Sequence, residues 1–281
     1  MIRLSIALVT RNRPDSLNRC LESLRQQSVQ PFEVVISDDS DPDQSNQIKA
    51  ISDRWDCRYI RGPRRGLYAN RNHIALACQG THIRTMDDDH IFPEGHLEEC
   101  LKAIRLDPQV IWTTGENIFI NGKYHGGSPT AGQLNASGVA GAVGDIDDNW
   151  AIADGSTIYP REVFDQGHRM VESFNYGSSY LEFGSYLYQY GFKSRCIPGV
   201  IVEHYPVDSS IIGREYAPKI IKSHIFACIC YNFHFKPNVV LGMRYILSKL
   251  ARVSFDKECV QSTFDSLQKA QERWSASRLD I

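Results

Sequence analysis

Several features are scarce in this 281-residue sequence, and each scarcity removes a class of protein. No apolar run approaches the roughly 20 residues that span a bilayer, so no transmembrane segment is expected. Excess charge is also missing. Lys and Arg number 31 against 33 Asp and Glu, a formal −2, and the basic residues are scattered, so nucleic-acid binding is not expected. The 8 cysteines include no CxxC pair and no regular spacing, and most sit in apolar periodic runs, as free buried thiols of a reducing compartment do. The N-terminus runs straight into a strand without the apolar core of a signal peptide, so the expected location is cytoplasmic. There is no internal repeat and no low-complexity tract. What is present, 42% apolar and 23% charged residues, suffices for a sizeable core in one large domain or one domain with a tail.

The chain is organised around Thr85-Met86-Asp87-Asp88-Asp89-His90, where an apolar-rich run from His82 stops at three consecutive carboxylates. Three adjacent like charges resist burial, so a strand that delivers them to its end needs a cation or solvent there. Mg²⁺ is commonly held by one or two carboxylates together with substrate phosphates. Alternation along an extended chain would let Asp87 and Asp89 share such a cation while Asp88 faces away. An acidic turn capping a helix near Gly95 is the plainer reading of the same triplet.

Read in order, Ile2 to Val9 is a strand, followed by a helix from about Ser16 to Gln27 with Pro14 in its first turn. Phe32 to Ile36 is a second strand, closing on Ser37-Asp38-Asp39-Ser40, and Gln44 to Asp53 a helix. Cys57 to Ile60 is a third strand, Leu67 to Cys78 a helix, and His82 to Met86 the strand that ends at the triplet. Strand, helix and strand in succession make a parallel sheet with right-handed crossovers. Three strand ends, at Thr10, Asp39 and Asp87, then share one edge, where ligands bind in open α/β folds. Beyond a helix from Gly95 to Ile104, strands are expected at Val110 to Thr114, Ile118 to Ile120, Lys193 to Ile197 and Val200 to Glu203, with a hairpin turn at Asn121-Gly122. The segment from Gly126 to Asn149 is aperiodic and rich in Gly, Ser, Ala and Asp, the composition of a binding loop or lid. Helices are expected at Arg161 to Gln166, Tyr180 to Tyr190, Glu215 to Tyr231, Val239 to Ala251 and Phe255 to Arg273.

Together, Ala7-Leu8-Val9-Thr10-Arg11-Asn12-Arg13-Pro14, Val35-Ile36-Ser37-Asp38-Asp39-Ser40, Arg71-Asn72 and Met86-Asp87-Asp88-Asp89 resemble the nucleotide-sugar half of family 2 glycosyltransferases. Asp154-Gly155-Ser156, the Glu182 helix ending at Gly191-Phe192, and Val202-Glu203-His204 are similar to that family's acceptor half. The resemblance implies an α/β fold of GT-A type, a Rossmann-like mixed sheet flanked by helices. Residues 1–205 would form the transferase domain, with 1–95 binding nucleotide and 96–205 the acceptor, and 206–281 a helical extension.

It further implies a nucleotide-sugar donor, UDP-linked if the base is a pyrimidine read by Asp39, and a glycan or lipid-linked glycan acceptor. The donor would lie against Thr10, Arg11, Arg13, Asp39, Arg65, Arg71, Asp87 and Asp88. Mn²⁺ or Mg²⁺ would be held by Asp87, Asp89 and His204. In an inverting transfer Glu182 would be the base, with Asp154 in reserve, although Ser179-Tyr180-Leu181-Glu182 lacks the Glu-Asp pair of many relatives. The C-terminal helices are candidates for peripheral membrane contact or a homodimer contact. Two other functions compete with transfer. Nucleotidyl transfer would want a glycine-rich phosphate loop after the first strand, and Thr10-Arg11-Asn12-Arg13 has no glycine. A sugar-nucleotide binding protein without turnover would need only the pocket.

Overall fold

The computed structural model describes residues 1–174, 177–206 and 218–276. Its first half alternates strands and helices: β1 (Leu4–Thr10), α1 (Pro14–Arg25), β2 (Glu33–Asp38), α2 (Pro42–Arg54), β3 (Arg58–Arg61), α3 (Leu67–Ala77), β4 (His82–Asp87), β5 (His90–Ile91) and α4 (His96–Leu106). There follow β6 (Ile111–Ile120), β7 (Lys123–Ser128), β8 (Gln133–Leu134), β9 (Ala140–Gly141), β10 (Thr157–Pro160), α5 (Glu162–Asp165), α6 (Ser179–Gln189) and β11 (Ser194–His204). Helices α7 (Pro218–Ile229), α8 (Val239–Arg252) and α9 (Lys257–Ala276) close the chain, with a π-helical turn at Cys230–Phe235 between the first two. The expected start of α7 at Glu215 lies outside the described residues.

One mixed sheet has the order β3-β2-β1-β4-β10-β6-β11-β5, with β7 hanging on β6. Strands β1 to β4 are mutually parallel, β10 runs against β4 and β6, and β6 is parallel to β11. The C-terminal ends of β1, β2, β4, β6 and β11 therefore meet at one edge. Every residue of β1 is buried, with Leu4, Ile6 and Leu8 in one core and Ala7 and Val9 in the other. This is why it reads as an unbroken apolar run rather than an alternating one. Helices α1, α2 and α4 cover the first face, and α3, α5 and α6 the second.

Two expected strand breaks are absent. The Ile111–Ile120 strand passes through Gly115 unbroken, and β11 continues across Pro198-Gly199 by a register shift between Cys196 and Ile201, with Gly199 at φ +73°. Asn121 and Gly122 form the expected turn, at φ +51° and +73°. The segment from 126 to 149 is not structureless either. It carries β8 and β9, and its glycines permit close approach: a Cβ on Gly132 would strike Ala140, and one on Gly138 the backbone of α7.

The last three helices build a separate core around Ile221, Phe226, Ile246, Leu250 and Trp274, which meets the sheet domain through Phe174 and Tyr186. Among the described residues no helix is long and apolar enough to cross a membrane.

Candidate active site

Strand β2 ends in two carboxylates with different tasks. Asp38, wholly buried, accepts bonds from Ser40 N (2.7 Å), Ser45 Oγ (2.7 Å), Tyr59 Oη (2.9 Å) and Arg61 Nη1 (2.6 Å). Burial alone would raise its pKa, but the donors outweigh it and hold Asp38 below the usual carboxylate range. Asp38 fixes the turn and leaves Asp39 to the cavity. Asp39 accepts from the Arg64 N–H at 2.8 Å, and burial shifts its carboxyl upward. A Cβ on Gly62 would overlap the Asp39 and Asn70 side-chain oxygens, so glycine is required there.

Asp39 lines a cavity of about 550 Å³ with Thr10, Arg11, Arg13, Arg64, Arg65 and Asp87. Four guanidinium-bearing residues face two carboxylates, a balance suited to an anionic ligand. Arg65, paired with Glu172 at 3.1 Å, has a side chain 67% exposed and sits at the rim. Thr10 is buried, and its hydroxyl donates to Asp88 at 2.6 Å.

Alternation predicted a cation shared by Asp87 and Asp89, and the structure differs because β4 stops at Asp87 and the chain turns at Asp88-Asp89. Both Asp87 oxygens accept from one Arg71 nitrogen, at 2.7 and 2.8 Å. Arg71 is buried, and its other terminal nitrogen pairs with Asp154. Burial would raise Asp87, yet Arg71 lowers it on balance. The Asp154 loop approaches this closely through Gly155, at φ +73°, where a Cβ would lie 2.6 Å from Asp87 Oδ2.

Asp88 is buried and paired with Arg13 at 3.2 Å. Burial pushes its carboxyl up to about 7. Arg13 also donates to Asp89 at 2.7 Å.

Among the described residues, the group that could hold a metal is Asp89, His90 and His204, whose ligand atoms lie within 4.8 Å of one another. Strand pairing causes this, since β5 and β11 place His90 opposite His204. Asp89 Oδ1 and His90 Nδ1 are buried without a hydrogen-bond partner among the described residues, as oxygen and nitrogen ligands awaiting a divalent cation would be. His204 lies 3.6 Å from Asp89 and 3.3 Å from Glu116. Burial would lower its pKa, but these two carboxylates raise it to about 10. Asp89 is held below the ordinary range despite its burial, chiefly by His204.

Asp87 also lines a second cavity, of about 590 Å³. Its walls include Glu116, Asp154, Tyr180 and His204, together with residues 128, 130–132 and 140–142. The 126–149 segment is thus a cavity wall, braced by Asn232 of the π-helical turn, which donates to Ala136 O at 2.7 Å.

The expected base, Glu182, is not there. It is wholly buried, and its Oε1 accepts from Trp274 Nε1 at 3.1 Å and from Arg273 Nε at 2.5 Å, both on α9. The reason is helical geometry: two residues along α6 turn the side chain through about 200°, so Tyr180 faces the cavity and Glu182 faces α9. Asp154, the reserve candidate, is the one that lines the cavity. His90, Glu116 and Tyr180 were absent from the sequence-based site. His90 was within reach, as the residue directly after the acidic triplet. Glu116 in mid-strand and Tyr180 on an aromatic helix carry no such signal.

A family model described as glycosyl transferase family 2 matches residues 5–167. An uncharacterized glycosyltransferase of Bacillus subtilis, YwdF, is 32% identical over 104 residues, which cover 37% of this chain and 38% of that protein. Chondroitin synthase of Escherichia coli is 29% identical over 104 residues, 36% of this chain and 15% of that one. The likeness therefore spans well under half the length of either relative. Among solved structures, GalNAc-T7 with UDP, GalNAc and Mn²⁺ superposes with a TM-score of 0.66 over 81% of this chain and 47% of that one, at 16% identity. At that identity the likeness is one of fold, and the fold is of GT-A type.

Proposed function

The chain belongs to glycosyl transferase family 2, and from that premise we propose that it transfers a sugar, with inversion, from a nucleoside diphosphate, UDP in the first instance, to a hydroxyl of a glycan or lipid-linked glycan. The observation that carries this reading is the pair of adjoining cavities that share Asp87 as a wall, the first rich in arginine and the second in carboxylates. Donor and acceptor would occupy one each. We assign 1–205 to the transferase unit, halved near 95, and 206–281 to a helical extension, a division supported by the separate core of the last helices.

In the first cavity Asp39 would accept the imide N–H of uracil, and Arg11, Arg13 and Arg65 would face the diphosphate. Asp89, His90 and His204 would hold Mn²⁺ or Mg²⁺, which as a Lewis acid supplies charge neutralisation to the leaving diphosphate. Arg13, which bridges Asp88 and Asp89, is placed to move from them to a phosphate. In the second cavity Asp154 would take the proton of the attacking hydroxyl, its carboxylate held in place by Arg71. The attack would come from the face opposite the diphosphate, as inversion requires, with the acceptor in the cavity that adjoins the donor's at Asp87.

A thermal-shift screen of UDP-, GDP- and dTDP-sugars with and without Mn²⁺ tests this. A ligand at a hundred times its dissociation constant adds about 2.7 kcal/mol, so the correct base and metal should stand out together. A UDP-sugar that stabilises the chain only with Mn²⁺ is the expected result. Stabilisation without release of nucleoside diphosphate would favour a binding protein without turnover.

A further inference from the structure

Helix α8 has two faces of opposite fate. Gly242, Ile246 and Leu250 are buried, and a Cβ on Gly242 would press on Phe233 and Asn232 of the preceding turn. A flanking face carries Val240, Met243, Leu247 and Ala251, spaced at one helical stripe, and it points to solvent. Val240 is 81% exposed, Leu247 51% and Met243 45%. The stripe continues past the helix end, where Ser254 and Phe255 both adopt positive φ, near +50°, a conformation such side chains rarely take. That turn leaves Phe255 53% exposed.

Charge along α7, the turn after it and α8 is of one sign, although Glu258 of α9 pairs with Lys222 and Asp256 follows Phe255. Between residues 216 and 255 the sequence contains Lys219, Lys222, Lys236, Arg244, Lys249 and Arg252 and no Asp or Glu, in a chain with 33 acidic residues. Arg244 is exposed alongside the apolar stripe.

We propose that the outward face of α8 docks on an anionic lipid surface, with Val240, Met243, Leu247 and Phe255 entering the headgroup boundary and Arg244 meeting lipid phosphate. An amphipathic helix with apolar residues on one face and basic residues beside them lies in the plane of a membrane interface by this division of labour. A second copy of the chain fits the face less well. A two-fold contact centred on the stripe would bring two copies of Arg244 together, and four or five side chains fall short of the roughly 800 Å² per partner that a stable dimer buries. The placement also connects to the site: α8 packs on α7, whose backbone lies against Gly138, between the stretches 130–132 and 140–142 that line the second cavity. The proposal does not depend on the transferase reading.

Flotation of the full chain with vesicles tests it, using phosphatidylcholine alone or mixed with phosphatidylglycerol. The wild type should float with the anionic vesicles and be released by salt, since exposed charges are screened. The double variant Val240→Glu/Leu247→Glu should bind at least about tenfold more weakly. Its thermal midpoint should be unchanged, because both side chains are exposed. Arg244→Glu should weaken binding to the anionic vesicles alone. Equal flotation of wild type and double variant, or no flotation even at low salt, would overturn the proposal. So would a dimer in sedimentation equilibrium that the double variant dissociates while flotation stays negative.

Discussion

Glu182 separates a structural role from a chemical one more sharply than any other residue in the chain. Its Oε1 is the acceptor for Trp274 Nε1 and for Arg273 Nε, in a position with no solvent exposure. Glu182→Ala deletes the acceptor of two donors, Trp274 almost fully buried and Arg273 16% exposed. Each buried donor that loses this acceptor costs about 1–3 kcal/mol, so the sum is about 2–5 kcal/mol once the partial exposure of Arg273 is discounted. At about 2–4 °C per kcal/mol for a chain of this size, the thermal midpoint should fall by on the order of 10 °C. Glu182→Gln keeps an oxygen at the same place and should retain most of that stability. Both variants should keep wild-type turnover per folded molecule, measured as nucleoside diphosphate release at a temperature well below the midpoint. A general base replaced by its amide would instead lose about a hundred- to ten-thousandfold. A Glu182→Gln protein with an unchanged midpoint and turnover reduced to that extent would refute the reasoning and return the base to α6.

Two further outcomes follow from the donor side. Asp39→Ala should weaken UDP binding by about 1.5–3 kcal/mol in calorimetry, the range for a hydrogen bond to a charged group, and an unchanged affinity would remove Asp39 from the base pocket. Mn²⁺ affinity should climb with pH by up to about tenfold per unit around neutrality, because loading His204 expels the proton that Asp89 and Glu116 retain on it up to about 10. The sign is that of a raised cation: the imidazolium clamp adds stability fully below the ordinary 6.5, and that contribution disappears as pH rises through about 10. His204→Gln should flatten the pH dependence of Mn²⁺ binding, and a profile identical to wild type would take His204 out of the cation site.

The nucleotide half was legible in the sequence because its signals are local. Each apolar run ends in its polar loop within a few residues, and parallel pairing brings Thr10, Asp38 and Asp87 to the same edge. The rest depended on distances in sequence that periodicity does not measure. His90 and His204 are joined by pairing across more than a hundred residues, and Glu182 is claimed by α9 from near the far end of the chain. Alternation was extended into Asp88-Asp89 beyond the point where the strand stops, and composition gave no sign of the tight packing that Gly132 and Gly138 allow.

Nucleoside diphosphate release from the UDP-sugar that binds, followed with and without Mn²⁺ for wild type, Asp89→Ala and Asp154→Asn, puts the two-cavity account to its most direct test. The account predicts metal-dependent release by the wild type and loss of both donor binding and release in Asp89→Ala. For Asp154→Asn it predicts donor affinity within a factor of about three, with acceptor-dependent release down by about a hundred- to ten-thousandfold. Release that is indifferent to Mn²⁺ and to Asp89, or an Asp154→Asn protein that transfers at the wild-type rate, would contradict it.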